Sequence, residues 1–399
     1  MRQLFFTIVM MLVFFGELAS QCFWNPVSER IEDINGDPCA NSLTTVVPFL
    51  TIAPDARSGA MGDMGIAISP DANRIHYNAA SLAFVESDFS LSVTYSPWLR
   101  NLQINDIYLA YLSGYKKIDD LQTIGFSLKY FSLGVINFTN DQGQAIGEGQ
   151  PNELSASVAY ARKLGPNFSA GITGKFIYSS LASQQRIGIT EIYPGISGAA
   201  DISFRYKGEL SNGAGLSAGL TLSNLGAKIS YTRDSEKFFL PATFGLGAAY
   251  IANLDDYNQI TFGLDINKLM VPTPYISDHP DFDVDPADGI PDYRQKSLLG
   301  GMFGSFGDAP GGFGEELKEL MFSFGAEYMY DQQFALRAGY FYENPLKGNR
   351  QYFTLGVGVK YNVFNINLSY LVPTNNQNNP LGNTLRFTLL FDFANRADS

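Results

Sequence analysis

The sequence predicts an all-β protein, an antiparallel transmembrane β-barrel of about fourteen strands. Apolar residues alternate with small or polar ones over many short stretches, and the connectors between these stretches are short and long in turn. After the N-terminal leader, no window offers the 18 or more apolar residues that a membrane helix needs. In lipid an open sheet edge would leave backbone groups unpaired, so we expect the strands to close into a barrel.

One stretch, residues 351–361, shows the alternation clearly. One face carries Phe353, Leu355 and Val357, and the other carries Thr354 and Gly356. Apolar residues outside and small or polar residues inside suit a barrel in lipid with a polar lumen. The last predicted strand alternates in the same way and ends on an aromatic residue, as the assembly signal of outer-membrane barrels does. The fourteen predicted strands are 88–96, 103–113, 121–135, 152–163, 167–181, 196–207, 214–225, 241–251, 257–266, 320–330, 333–343, 351–361, 364–371 and 384–393.

The connector lengths also predict an orientation. Bacterial barrels have short periplasmic turns and long outer loops, so the parity of the connectors places both termini in the periplasm and the long loops outside the cell. The longest connector, 267–319, is too long for a plain turn, and loops of this length are usually functional or disordered.

The ends of the chain suggest an exported protein with four parts. Residues 1–20 combine a positive charge, an apolar run and a small-residue cleavage site, which is typical of a signal peptide. We therefore expect an N-terminal extension at 21–86, the barrel at 87–393 and a tail at 394–399. In an exported chain Cys22 and Cys39 are predicted to form a disulfide, and lipid attachment at Cys22 is the alternative.

Charge is concentrated in the longest connector. The chain has a net charge of −12, which argues against nucleic acid as a partner. Residues 278–319 contain ten acidic and three basic residues and so hold −7 of that charge. The second half of the connector is apolar and rich in glycine, and its large side chains either contact a partner or pack back over the barrel mouth. These candidate partner-binding residues are Leu298, Leu299, Met302, Phe303, Phe306 and Phe313.

An acidic repeat in the same connector is a candidate calcium site. Carboxylates at every second residue followed by a glycine can form a flexible oxygen cage, although the spacing departs from the EF-hand loop. A solvated acidic loop is the alternative. No other cofactor is expected. The candidate ligands are Asp281, Asp283, Asp285, Asp288 and Asp292.

A motif before the first strand resembles a known family. Residues 46–67, with PDARSGAMGD at 54–63, resemble the N-terminal plug of FadL-type outer-membrane barrels, and the whole mature chain is more closely similar to the PorV proteins of the type IX secretion system of Bacteroidota. Segments 291–296 and 306–316 of the long connector add to this likeness. The resemblance implies that the N-terminal extension is a plug inside the barrel.

The plug motif contains charges and small residues suited to a crowded lumen. Glycine at every third position permits close backbone approach. The acidic and basic side chains could pair with the lumen positions Lys129, Lys175, Glu327 or Arg386, and such pairs would hold the plug in place. The candidate plug residues are Asp55, Arg57, Gly59, Gly62, Asp63, Gly65 and Asn78.

The resemblance also implies a function. PorV-like proteins associate with the large translocon barrel of the SprA/Sov type, collect the C-terminal domains of secreted cargo, and deliver cargo to a PorU-like sortase at the surface. The implied partners are therefore these proteins together with outer-membrane lipid, and no enzymatic activity or catalytic residue is expected.

Two other functions stay open at this point. FadL-type barrels generally transport hydrophobic small molecules, which makes such a transporter the runner-up. A lipopolysaccharide deacylase is a weaker alternative, because an enzyme needs a nucleophile and a base within reach. The chain has only two histidines, His76 and His279, and neither has a partner that can be recognised in the sequence.

Overall fold

The computed structural model describes residues 23–25, 30–32, 42–100, 104–139, 142–182, 186–187, 190–211, 213–232, 237–274, 290–309, 312–374 and 384–393. The predicted signal peptide and tail, the cysteine pair, His279 and four of the five candidate calcium ligands lie outside these residues.

Twenty strands are described in the following order along the chain. They are β1 (Phe23–Asn25), β2 (Arg30–Glu32), β3 (Phe89–Pro97), β4 (Ile107–Lys117), β5 (Gln122–Leu133), β6 (Ile136–Thr139), β7 (Ala145–Gly149), β8 (Asn152–Lys163), β9 (Phe168–Ser180), β10 (Arg186–Ile187), β11 (Thr190–Glu191), β12 (Gly195–Glu209), β13 (Gly215–Gly226), β14 (Thr243–Asn253), β15 (Asn258–Leu269), β16 (Leu320–Tyr330), β17 (Phe334–Tyr342), β18 (Gln351–Tyr361), β19 (Phe364–Pro373) and β20 (Leu385–Phe393). Fourteen of them form a closed antiparallel barrel, and the other six form three separate hairpins.

The barrel closes where its last strand pairs with its first. β20 is antiparallel to β3, and Phe393 is opposite Phe89 in the register. All other barrel neighbours are also antiparallel and follow one another along the chain, with the hairpins β6–β7 and β10–β11 set into connectors. The predicted fourteen-stranded antiparallel barrel is confirmed.

Side chains on the barrel alternate between lipid and lumen as the sequence pattern predicts. On β18, Phe353, Leu355 and Val357 are exposed on the outer surface, whereas Tyr352 and Thr354 are buried. An apolar outer surface and a buried polar inner surface are the arrangement expected of a barrel in a bilayer. Among the helices of the described residues, none is both long and apolar enough to span a membrane.

The two ends of the barrel differ in the length of their connectors. Six tight connectors, such as those after β16 and β18, lie at one end, which we call the short-connector end, and the long ones lie at the other, the long-connector end. Asp331 and Gln332 both have positive φ, which is the backbone conformation of the tightest hairpin turns. Phe89 and Phe393, the first and last residues of the barrel, lie at the short-connector end.

The strand β4 is displaced along the chain from its predicted position. The expected strand 103–113 is observed as β4, which runs to Lys117, because Gly114 lies inside the strand and not in a turn. A Cβ atom at Gly114 would lie 2.8 Å from the ring of Phe126 and 2.9 Å from the backbone oxygen of Ser90. The glycine therefore marks a close approach between neighbours within the sheet.

Residues 42–86, which we call the plug, lie inside the barrel. They contain two short α-helices, Ala56–Gly59 and Arg74–Tyr77, and two 3₁₀ helices, Pro48–Thr51 and Ala79–Phe84. Their backbone groups bond to inward side chains on opposite sides of the lumen: Ala56 donates to Thr388 on β20, and Ala80 donates to Ser203 on β12. The plug thus fills space that the polar inner surface of the barrel would otherwise share with water.

The plug begins at the end of the barrel opposite the last barrel strand's final residue, Phe393. Val46 donates to the carbonyl oxygen of Phe239 in the long connector between β13 and β14. The first plug residues are therefore at the long-connector end, opposite Phe393. The alternation of short and long connectors assigns each strand end to one end of the barrel. It contains no information on the direction in which a plug crosses the lumen.

Candidate functional site

The helix Leu298–Gly304 of the longest connector packs against the outside of the barrel wall. The hydroxyl of Ser297 accepts a hydrogen bond from the amide of Gly300 and caps the helix N-terminus. Met302 is buried against Met270 and Ala242, with Leu298 at the edge of the same cluster. A buried methionine side chain contributes about 1.5–3 kcal/mol to such packing.

The alternation of side chains along β15 shows that this packing is on the outer face of the wall. Asp265 on β15 points inward, since it accepts from the plug, so Lys268 three residues later points outward. Phe244 on β14 is opposite Lys268, and the ring of Phe306 contacts both of them. The helix Leu298–Gly304 and Phe306 therefore cover the outer wall at the long-connector end.

A buried ion cluster fastens this connector to the rim. Lys268 pairs with Glu316 at 2.9 Å and also with Glu319, and Lys347 from the β17–β18 connector pairs with Glu319 at 3.0 Å and Glu315 at 2.6 Å. The hydroxyl of Thr273 also donates to Glu319. Since buried charges are costly unless they are paired, these contacts hold the segment 313–319 in one position.

The sequence analysis missed this ion cluster. It counted the three glutamates only as part of a charged loop. A signal was present, however, because Lys268 occupies an outward position of a barrel strand, where a charge in lipid is costly and needs a partner.

The candidate partner-binding residues separate into two groups. Met302 and Leu298 pack inward and anchor the helix. Leu299, Phe303 and Phe313 point away from the wall with exposed fractions of 65%, 65% and 77%, and Phe306 is partly exposed. We call Leu299, Phe303, Phe306 and Phe313 the rim patch. Apolar side chains this exposed contact lipid, as those of the outer wall do, or a partner protein.

The structure describes only one of the five candidate calcium ligands. This ligand is Asp292, which lies at the start of the short helix Asp292–Gln295. Within the described ranges, no group of three or more His, Cys, Asp or Glu side chains could hold a metal ion. The proposed calcium site therefore stays a prediction.

The plug is held by a chain of ion pairs that ends on the barrel. Arg57 bonds to Glu327 on β16 through two nitrogens, at 3.0 and 2.7 Å, and Glu327 also accepts from Arg337 on β17. Within the plug Arg57 pairs with Asp71, which in turn pairs with Arg74. Burial would raise the pKa of Asp71, but the attraction of Arg74 and Arg57 and the hydrogen bonds from Arg74 and the Asn73 amide together outweigh it, so the pKa lies below its usual range.

The other candidate plug residues contact the barrel directly or shape the plug. Asp63 pairs with Arg386 at 3.2 Å and accepts from the Tyr352 hydroxyl at 2.6 Å. Asn78 donates to backbone oxygens of the plug and of β12. Gly62 has a φ of +69° and lies so close to the backbone of β16 and β17 that a Cβ atom would be 2.6 Å from a carbonyl oxygen.

The remaining predicted plug and lumen positions have varied roles. Asp55 accepts from the amide of Ser58 and pairs with Arg74, so its contacts are within the plug. A Cβ atom at Gly59 would clash with the Arg386 side chain, and one at Gly65 would clash with the Tyr77 ring. Lys129 donates to plug backbone oxygens, whereas Lys175 pairs with Asp201 on the neighbouring strand β12 and not with the plug.

Above the plug, at the long-connector end, lies a cavity of about 370 Å³. Its wall includes the apolar residues Met321, Phe341 and Leu371 from β16, β17 and β19, together with Ile52 and Ile66 of the plug. His76 also borders the cavity, and its ring contacts those of Tyr77 and Tyr111. Burial lowers the pKa of His76 well below its usual range, and the cations Lys129, Lys175 and Arg74 lower it further.

The fold and the plug together define a class, the outer-membrane β-barrels whose lumen is occupied by their own N-terminal segment. A family model described as "Type IX secretion system protein PorV" matches residues 36–276. Because this match covers more than half of the chain, the protein belongs to the PorV family of the type IX secretion system.

Several solved barrels are similar in overall structure. A deltaS2S3 mutant of the monoaromatic hydrocarbon channel TodX is 14% identical, with a TM-score of 0.48 over 84% of this chain and 96% of that chain. The toluene transporter TodX of Pseudomonas putida is 11% identical, with a TM-score of 0.48 over 88% and 98%. A FadL homologue of Pseudomonas aeruginosa is 11% identical, with a TM-score of 0.44 over 89% and 100%. No curated protein sequence matches the chain.

Proposed function

We propose that the protein is a non-enzymatic carrier of the type IX secretion system. It binds the translocon barrel, collects the C-terminal domains of secreted cargo, and delivers the cargo to the surface sortase complex. In this proposal the long connectors face the outside of the cell, where cargo emerges, and the short connectors face the periplasm.

The observation that carries the proposal is the rim patch. Leu299, Phe303 and Phe313 project outward from a connector that the buried ion cluster and Met302 hold against the wall. A contact surface fixed in advance binds with less entropic cost than a free loop. Because the patch projects from the side of the barrel and not from its mouth, it is positioned for a neighbour in the membrane, which we take to be the translocon barrel.

Replacing two rim-patch residues together should weaken this contact. In the double variant Leu299→Ser/Phe303→Ser, we expect recovery of the translocon barrel in a gentle pull-down from membranes to fall at least tenfold. Each lost apolar contact is worth about 1.5–3 kcal/mol, and about 1.4 kcal/mol corresponds to a factor of ten in affinity. The recovery is measured by quantitative mass spectrometry.

A matched control replaces apolar residues of similar exposure at the opposite end. Ile118 and Leu164, in short connectors, are 57% and 61% exposed. The variant Ile118→Ser/Leu164→Ser should recover the translocon as the unaltered protein does. Equal recovery by all three proteins would show that the rim patch is not the contact.

The cavity above the plug favours one other function, transport of a hydrophobic small molecule. Ligand pockets are concave with mainly apolar walls, whereas the wall of this cavity also carries charged side chains, among them Asp63, Asp265 and Arg386. A transporter also needs a continuous path, and the plug is bonded to β12, β15 and β20, which are spread around the barrel. We therefore favour the carrier.

The structure supports a deacylase less than it supports the carrier or the transporter. The contacts of His76 among the described residues are with aromatic rings, and a general base must be within hydrogen-bond reach of the group it activates. His279 lies outside the described residues.

A further inference from the structure

The plug crosses the lumen in one direction, from the long-connector end to the short-connector end. At its start, Val46 bonds to Phe239, and Phe49 and Leu50 pack in one buried cluster with Ile229 and Leu240 of the β13–β14 connector. All of these barrel residues belong to a long connector. The first plug residues are therefore at the long-connector end.

The middle and the end of the plug continue this direction. Ala56 bonds to Thr388, which is near the middle of β20. Further along, Ser169 donates to the backbone oxygen of Ala80 at 2.7 Å, and Ser169 is the second residue of β9 counted from the short-connector end. The amide of Asp88 then bonds to the carbonyl oxygen of Phe393 at 3.2 Å, at that same end.

A path from the start of the plug back to the short-connector end would be costly for the chain. The hairpin β1–β2 ends at Glu32, ten residues before Ser42, and ten extended residues span at most about 33–36 Å. A barrel strand of eleven residues, tilted by about 40°, is roughly 29 Å tall. A return would need a nearly straight path through a lumen that the plug already occupies, or through lipid, where unpaired backbone groups are costly.

We propose that the chain enters the plug from the long-connector end, so that the hairpin β1–β2 lies on the same side of the membrane as the rim patch and on the opposite side from Phe393. Together with the orientation given under the proposed function, this places the N-terminal hairpin on the cell surface. It becomes a second element of the surface on which cargo is handled, beside the long connectors.

Epitope tags at three positions test this topology. One tag is inserted after Asn25, a second within the long connector at 275–289, and a third after Ser399, and each tagged protein is labelled with antibody on intact and on permeabilised cells. We expect the first two tags to label intact cells almost as strongly as permeabilised cells. The third should gain at least tenfold on permeabilisation. An N-terminal tag that behaves like the C-terminal tag would overturn the proposal.

The three tags separate this inference from the orientation on which it partly rests. If both the N-terminal and the connector tag are hidden while the C-terminal tag is exposed, the orientation is wrong but the direction of the plug stands. If the tag after Asn25 prevents assembly, trypsin added to intact cells carrying the untagged protein provides the same information. Cleavage after Arg30 supports the proposal, and protection of this bond until permeabilisation overturns it.

Discussion

Replacing Arg57 by alanine is expected to release the plug from the barrel wall. The substitution removes both bonds from Arg57 to Glu327 and its pair with Asp71. Removing one member of a buried ion pair typically costs about 3–5 kcal/mol, because the partner charge stays buried without compensation. That energy shifts the equilibrium between a seated and a displaced plug by roughly a hundredfold or more.

The expected result is an increase in ion conductance through the barrel in planar bilayers, together with faster proteolysis of the plug. Lys175→Met is the matched control, because Lys175 is also a buried lumen cation but pairs with Asp201 on the neighbouring strand. That variant should conduct as the unaltered protein does. Equal conductance of all three proteins would show that Arg57 does not hold the plug.

Replacing Glu319 by alanine is expected to free the longest connector from the rim. Glu319 accepts from Lys268, Lys347 and the hydroxyl of Thr273, so its loss leaves each buried lysine with one glutamate partner fewer. A loss of about 3 kcal/mol would raise the population of the detached connector by roughly a hundredfold. The barrel strands themselves lose no backbone pairing.

Limited proteolysis of the purified protein measures this effect. We expect cleavage within 298–313 to become at least tenfold faster in Glu319→Ala, while the heat-modifiable gel mobility of the barrel stays unchanged. Lys318→Ala is the control, since Lys318 is adjacent but exposed. Cleavage at the same rate in both variants would mean that the ion cluster does not fasten the connector.

The barrel could be predicted from sequence because its determinants are local. Alternation along 351–361 and 320–330 gave strand bounds that the structure reproduces for β18 and β16. The error at β4 had a local cause as well, since the predicted strand 103–113 stops before Gly114, which lies inside β4 and marks a close contact with Phe126. A single sequence does not show which neighbour a glycine will meet.

The details of the candidate site could not be predicted, because they depend on contacts between distant parts of the chain. Arg57 was expected to pair with a lumen charge, and Glu327 was among the candidates, yet Arg337 and Asp71 were not recognised as members of the same ion chain. Nor did the sequence indicate that Met302 would pack on the outside of the wall. Both results require knowing which strands are neighbours and which end of the barrel a connector crosses.

These features support one account of the protein. A plug held by buried ion pairs occupies the lumen, so the surfaces available to partners are the outer wall and the long connectors. The rim patch adds apolar contact area to that outer surface, at the level where a neighbouring barrel in the membrane would meet it. A carrier needs such a surface, whereas a pore needs a clear lumen.

Affinity purification of the unaltered protein from membranes of cells with and without the surface sortase tests the carrier function most directly. The account predicts that cargo retaining its C-terminal domain is recovered with the protein, and that its amount rises severalfold when the sortase is absent, because delivery is then blocked. If no cargo is recovered in either strain, while the protein itself is purified as a folded barrel, the carrier function is contradicted.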